Sequence, residues 1–313
     1  MKKVMVTGGG GYVGTLLTYQ LLKKNYEVIV VDTFWFGNFL TKHKNLTVLK
    51  KNILNLKNSD FKNVDYIIHL ASIANDNAAD IDPNLTWETS CLGTKILCDF
   101  AKKNKIKKFI YASSGSVYGI KKEKKVTEKL SCIPISVYNK SKLTAERIIL
   151  SYKDNFQTII VRPSTLYGYS PRMRLDITIN ILCYQAYKFN KVNIFGGKQW
   201  RPYLHINDMV DFYLFCLKKN LNGIYNISQG NLTLDQTANK IKLFSPNCRI
   251  KHTKSNDIRS YRLSSDKALN IGFKFKTNID KEIKNLLNLF SEKKIKSRPN
   301  NFSINWLKNK IKK

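Results

Sequence analysis

Short apolar runs alternate with segments of helical period along most of the chain. Val4 to Val6, Val28 to Val31, Asn45 to Lys50, Val64 to Ala71 and Lys108 to Ala112 read as strands. Between them lie Tyr12 to Lys24 and Glu88 to Lys103, the latter with apolar residues at 92, 96, 97 and 100. Tyr138 to about Tyr152, Thr233 to Leu243 and Thr277 to Phe290 continue the helical pattern, the last with apolar residues at 279, 283, 286, 287 and 290. Alternation of this kind predicts right-handed βαβ units, and hence an α/β protein built on a parallel sheet. The closing segment FSINWLKNKIKK reads as a frayed terminal helix, with a membrane-surface anchor as the alternative.

The first strand breaks into four glycines, VMVTGGGGYVGT over residues 4 to 15. Gly8 suits a turn that a Cβ would obstruct, Gly11 lets the backbone approach a pyrophosphate, and Gly14 lets the following helix pack closely. The helix beginning at Tyr12 presents its N–H groups and positive dipole end to phosphates. The second strand ends in Asp32, 18 residues after Gly14, where an acidic residue accepts from an adenosine ribose. A carboxylate there repels a 2′-phosphate, and neither Arg nor Lys follows before Lys42, so NAD is expected over NADP. The next stretch, TFWFGN, is an aromatic loop that either covers the adenosine or packs on a neighbouring helix.

At the end of the fifth strand the chain turns polar with Ser113, Ser114, Gly115 and Ser116, at the sheet edge where ligands of such folds bind. Tyr138 and Lys142 then stand four apart on one helical face. The ordered set TGGGGYVG, VDTFWFG, IIHLA, Gly93-Thr94, YASSGSVYG, YNKSK, VRPSTLYG, QWRPYLHINDMV, YNIS and DIRSYRLS resembles the extended short-chain dehydrogenase/reductases. Within that superfamily it is similar to the NAD-dependent nucleotide-sugar epimerases and dehydratases.

This resemblance implies a Rossmann fold, a doubly wound parallel sheet, with a smaller C-terminal α/β unit: residues 1–163 with 203–227 for NAD, and 164–202 with 228–313 for the nucleotide-sugar. It implies Tyr138 as general base, Lys142 as its partner and ribose anchor, and Ser114 as the hydroxyl that holds the sugar. A tyrosinate at neutral pH needs its pKa lowered by about three units, roughly 4 kcal/mol, which Lys142 and an oxidised nicotinamide are expected to supply. Gly8, Gly11, Tyr12, Val13, Gly14, Asp32, Asn52, Ile53, Leu70 and Ala71 are assigned to the cofactor, together with Tyr138 and Lys142. Ser116, Asn180, Arg201 and Arg259 are assigned to the substrate, the two arginines as a diphosphate clamp. Arg172 and Arg174, in SPRMRLD, are expected at the substrate or at a subunit interface; that stretch resembles one in some enzymes acting on GDP-linked heptoses.

Departures from the family pattern narrow the chemistry. Gly115-Ser116 stands where the 4,6-dehydratases carry Asp-Glu, and Ser116 where 3,5-epimerases carry cysteine, so both reactions are disfavoured. A 4-epimerase is the leading expectation, with a C4 dehydrogenase releasing a 4-keto product as the alternative. A third reading is a non-catalytic NAD- or RNA-binding protein.

Composition changes this picture little. The 313 residues, 43% of them hydrophobic, suffice for a full core, and no run approaches a membrane span. A net charge of +32, from 54 Lys and Arg against 22 Asp and Glu, is spread along the chain and dominated by Lys. It reads mainly as compositional drift, with attraction for anionic substrates or weak nucleic-acid affinity as the other accounts, and no specific nucleic-acid partner is expected. The six cysteines form no C-x-x-C pair and no metal-ligand spacing, so reduced thiols, a cytoplasmic location and no metal are expected. A homodimer is implied by the resemblance.

Overall fold

The computed structural model describes residues 1–255 and 260–311. Seven strands form one parallel sheet: β1 (Lys3–Thr7), β2 (Glu27–Asp32), β3 (Leu46–Lys50), β4 (Tyr66–His69), β5 (Lys108–Ala112), β6 (Gln157–Pro163) and, at the far edge, β10 (Gly223–Ile227). Their order, β10-β6-β5-β4-β1-β2-β3, reverses between β1 and β4, the switch point at which doubly wound sheets bind ligands. A second sheet has the order β11 (Gly230–Thr233), β9 (Trp200–His205), β7 (Thr165–Tyr167), and β12 (Arg249–Thr253) pairs with β8 (Lys191–Phe195).

The two-residue period of the strands sorts the core into layers. Val4, Val6, Val28, Val30, Ile68 and Ile110 face one way, onto Leu17 and Leu21 of α1 (Tyr12–Lys23) and residues 209–217 of a later helix, Ile206–Lys218. Met5, Ile29, Val31, Ile67, Phe109 and Tyr111 face the other way, onto Leu97 in Gly93–Lys103 and onto Ala145 and Ile149 in Val137–Leu150. A third cluster joins Thr178–Phe189, Leu234–Phe244 and Ile279–Ser291 over the small sheets. In Ile279–Ser291 the buried residues are Ile279, Ile283, Leu286 and Phe290, as the helical period predicts.

Two motifs acquire a structural reason. His69, in IIHLA, is fully buried with Nδ1 2.7 Å from Thr7 Oγ1 and Nε2 2.9 Å from Thr94 Oγ1. Burial pushes its pKa down to about 3, so it is a neutral crosslink between β1, β4 and the helix at Gly93-Thr94. Glu88 to Leu92 is a single π-helical turn leading into that helix.

The C-terminal segment departs from expectation. Ser303–Ile311 is not frayed: Leu307 is 2% exposed and packs with Ile73, Ala78 and Ala79, and Trp306 Nε1 donates to Trp35 O at 2.7 Å. Trp35 and Phe36 of the aromatic loop pack against the same cluster, so Leu307 gives the helix an apolar contact on that loop. No described helix is long and apolar enough to cross a membrane.

Candidate functional site

One cavity of about 530 Å³ opens at the switch point, within the range of small-molecule sites. Its floor is the glycine turn. Gly8 has φ +72°, and a Cβ there would meet Ala71 N at 2.6 Å. A Cβ on Gly14 would stand 2.2 Å from Gly8 O, so the third glycine is required by the turn's own carbonyl. Gly11 leads into α1 without a side-chain cap, which leaves its first N–H groups for a ligand.

Asp32 braces this turn, its Oδ2 accepting from Gly10 N at 2.9 Å and its Oδ1 from Phe34 N at 2.7 Å. Burial raises its pKa, while those two N–H groups and the Arg172 charge lower it. Phe34 is held at φ +55°, which turns the aromatic loop across the cavity. Thr33, Phe34, Trp35 and Phe36 all line it. Asn52 and Ile53 line the same end, with Asn52 Oδ1 accepting from Leu54 N at 3.0 Å, and Tyr12, Val13, Leu70 and Ala71 complete the lining expected for a cofactor.

At the other end stand Ser114, Ser116, Tyr138 and Lys142. Ser114 Oγ lies 2.7 Å from Ser116 Oγ, which in turn donates to Asn139 Oδ1. Lys142 Nζ donates to Ala112 O at 2.7 Å and sits 4.9 Å from the Tyr111 ring centroid and 5.8 Å from that of Tyr138. Burial pushes Lys142 down to about 7 against the opposing pull of Glu146. Tyr138 moves the other way, up to about 12, chiefly by burial and then by the Asp76 charge, with Ser114 opposing. Within the protein alone, therefore, the shift runs opposite to the one expected for a tyrosinate base.

Behind Lys142 lies a buried network that sequence reading did not find. Arg162 donates to Glu146 through Nε at 2.9 Å and Nη2 at 2.6 Å, and through Nη1 to Tyr118 Oη at 2.8 Å. Ser113 Oγ also donates to Glu146 Oε1. This fork fixes the helix that carries Tyr138 and Lys142 against β5 and β6.

Among the residues expected at the substrate, Arg201 lines the cavity and Arg259 lies outside the described residues. Asn180 requires a correction. It is fully buried, and its side chain accepts from Gly168 N at 2.9 Å and donates to Arg174 O at 2.9 Å and Tyr12 Oη at 3.2 Å. Its carboxamide is consumed in holding the 168–174 segment, which leaves it outside the lining. Arg172 and Arg174 face this cavity, and Arg174 Nε donates to Asp176 Oδ1 at 2.8 Å. Asp76, Asp176, Ser303, Ile304 and Leu307 also line it; nothing in local sequence pattern marked them, because separate loops and the C-terminal helix bring them in.

A glycine turn at a helix N-terminus, an aspartate at the end of β2 and a Ser, Tyr, Lys set around one crevice define a dinucleotide-binding enzyme of Rossmann type. The comparisons with known proteins agree. The sequence profile of the NAD dependent epimerase/dehydratase family matches residues 4–228, and the chain belongs to that family. An uncharacterized UDP-glucose epimerase of Bacillus subtilis is 34% identical over 226 residues, 66% of this chain and 70% of the relative. A dTDP-D-glucose 4,6-dehydratase of Dictyostelium discoideum is 32% identical over 257 residues, 72% of this chain; the match spans 58% of that relative's length. A solved UDP-glucuronic acid 4-epimerase of Bacillus cereus, in complex with UDP-glucuronic acid and NAD, superposes with a TM-score of 0.84 at 25% identity, covering 93% of this chain and 99% of its own.

Proposed function

We propose that the protein is an NAD-dependent 4-epimerase of a nucleotide-diphosphate sugar. The observation that carries this reading is the convergence of Ser114, Tyr138 and Lys142 on the cavity that the glycine turn and Asp32 also line. The cavity residues fit the cofactor: the uncapped N–H groups of α1 suit its diphosphate, and Asp32 retains lone pairs for ribose hydroxyls. NAD, when bound, supplies acceptance and return of a hydride at the sugar carbon.

In this reading Tyr138 takes the proton of the C4 hydroxyl and returns it, and Ser114 holds that hydroxyl in line. Lys142, tethered to Ala112 O, orients the nicotinamide ribose. Because burial holds Tyr138 near 12 and Lys142 near 7, Tyr138 becomes a base only when positive charge enters the cavity. Gly115 and Ser116 leave the position beyond Ser114 without a carboxylate pair, which disfavours elimination of water. Arg201 is proposed to hold the nucleotide-sugar diphosphate. The division into a cofactor unit, 1–163 with 203–227, and a substrate unit is part of the same proposal, as is a homodimer, for which exposed Trp87 and Leu92 offer an apolar surface.

The test is incubation with UDP-, GDP-, CDP- and dTDP-sugars, following 340 nm and resolving products by NMR. A C4 epimer without net NADH supports the epimerase. Stoichiometric NADH with a 4-keto product makes the protein a C4 dehydrogenase instead. Bound NAD with no turnover of any sugar, accompanied by steeply salt-dependent RNA binding, would overturn the enzymatic reading.

A further inference from the structure

Arg172 is a buried cation without a carboxylate partner. It is 3% exposed and lines the cavity, yet no described carboxylate stands within ion-pair distance of it; Asp176, the carboxylate that acts on it most strongly, is engaged by Arg174. A guanidinium carries five N–H donors. Here Nη2 reaches Ser303 Oγ at 3.1 Å, Nη1 reaches Met173 O at 3.5 Å, and Nε has no partner among the described residues. Its Cζ lies over the Phe36 ring, 4.1 Å from the centroid. Burying a charge with donors left over is costly unless an anion answers it.

The position of the group says which anion. The carboxylates that act on Arg172 are Asp176, which Arg174 engages, and then Asp32, at the end of β2; Tyr12, the first residue of α1, lines the same cavity. Phe36, on which it stacks, belongs to the aromatic loop after β2. Asp32, Tyr12 and Phe36 line the part of the cavity given above to the cofactor; no cation follows Asp32 before Lys42, and Arg172 arrives from the segment after β7. Burial and the neighbouring Arg174 push its pKa down to about 9 against the pull of Asp176.

We infer that Arg172 is a ligand of the cofactor's diphosphate, oriented from behind by Ser303 of the C-terminal helix and from below by Phe36. The inference rests on the reading of this cavity as a dinucleotide site. The chemistry recognised is a diphosphate diester, which both the dinucleotide and the nucleotide-sugar carry, so the experiment separates the two.

Binding of NADH, NADPH, ADP, adenosine and UDP is measured by calorimetry on the full chain and on Arg172→Met. The expected result is at least about a tenfold loss of affinity for NADH and ADP, the weight of one charge-assisted contact, with adenosine and UDP changed less than about twofold. Loss confined to UDP would overturn the inference by moving Arg172 to the nucleotide-sugar. A loss confined to NADPH would overturn it in favour of a 2′-phosphate contact, and unchanged NADH affinity would make the residue structural. No NADH binding by the unaltered chain would sink the dinucleotide reading itself, a distinguishable failure. Should Arg172→Met not fold, the Arg172 Nε–H resonance of the unaltered protein, assigned by its absence in Arg172→Lys, must shift on adding ADP and stay put on adding adenosine; no shift with ADP would overturn the inference.

Discussion

Lys142 donates to the main-chain carbonyl of Ala112, at 2.7 Å, and this bond pins its ammonium at the end of β5 beside Tyr138. The sequence spacing puts the two side chains on one helical face, but the carbonyl of a different element decides where the charge sits. With Glu146 one turn further on, engaged by Arg162, the ammonium is held in a site that strongly desolvates it.

That desolvation is measurable as stability. Lys142 titrates near 7 in the folded protein against an ordinary value near 10.5, so between those pH values the unfolded chain binds the extra proton. Stability contributed by this residue therefore rises with pH through that window and is lowest below it. In ligand-free protein, urea unfolding from pH 6 to 10 should show the unaltered chain gaining on Lys142→Met, by up to about 4 kcal/mol. A constant difference between the two proteins across that range would contradict the placement.

Tyr138→Phe removes the hydroxyl and nothing that packs. Turnover of the sugar that the panel identifies should fall by about 10²–10⁴-fold, with NADH affinity and Tm close to those of the unaltered protein. Full activity in this variant would exclude Tyr138 as the base.

Gly14→Ala tests the turn. Its Cβ would stand 2.2 Å from Gly8 O and 2.6 Å from Gly9 Cα, contacts with backbone that cannot rotate away. Overpacking of this kind costs about 1–3 kcal/mol, and NADH affinity should fall with it, because α1 and the turn must part. Differential scanning calorimetry with and without NADH reads both effects; an unshifted Tm would refute the close packing.

Arg162→Met leaves Glu146 buried and unpaired. A loss of about 3–5 kcal/mol in unfolding free energy is expected, with the double variant Arg162→Met, Glu146→Leu recovering part of it. Equal losses in single and double variants would show that the ion pair itself, and not the orphaned charge, sets the cost.

Much of this molecule was legible along the chain because its signals are local. The strand positions, the turn at Gly8, the carboxylate at Asp32 and the Tyr138–Lys142 spacing each depend on a few neighbouring residues, and backbone sterics and side-chain period act over that range. The parallel sheet followed from the alternation of strand and helix signals, whereas its strand order is a matter of tertiary packing.

Residues that join the site from afar were beyond such reasoning. Asn180 has the residue type of a ligand contact, yet the 168–174 backbone claims its carboxamide. The final helix has the composition of a frayed end, yet Leu307 finds Ile73 and Ala78, and Trp306 finds Trp35 O. Arg172 reaches the neighbourhood of Asp32 across 140 residues of chain. In each case the deciding interaction is burial or a hydrogen bond between segments remote in sequence. Their partners exist only once the sheet and its flanking helices have closed around the cavity.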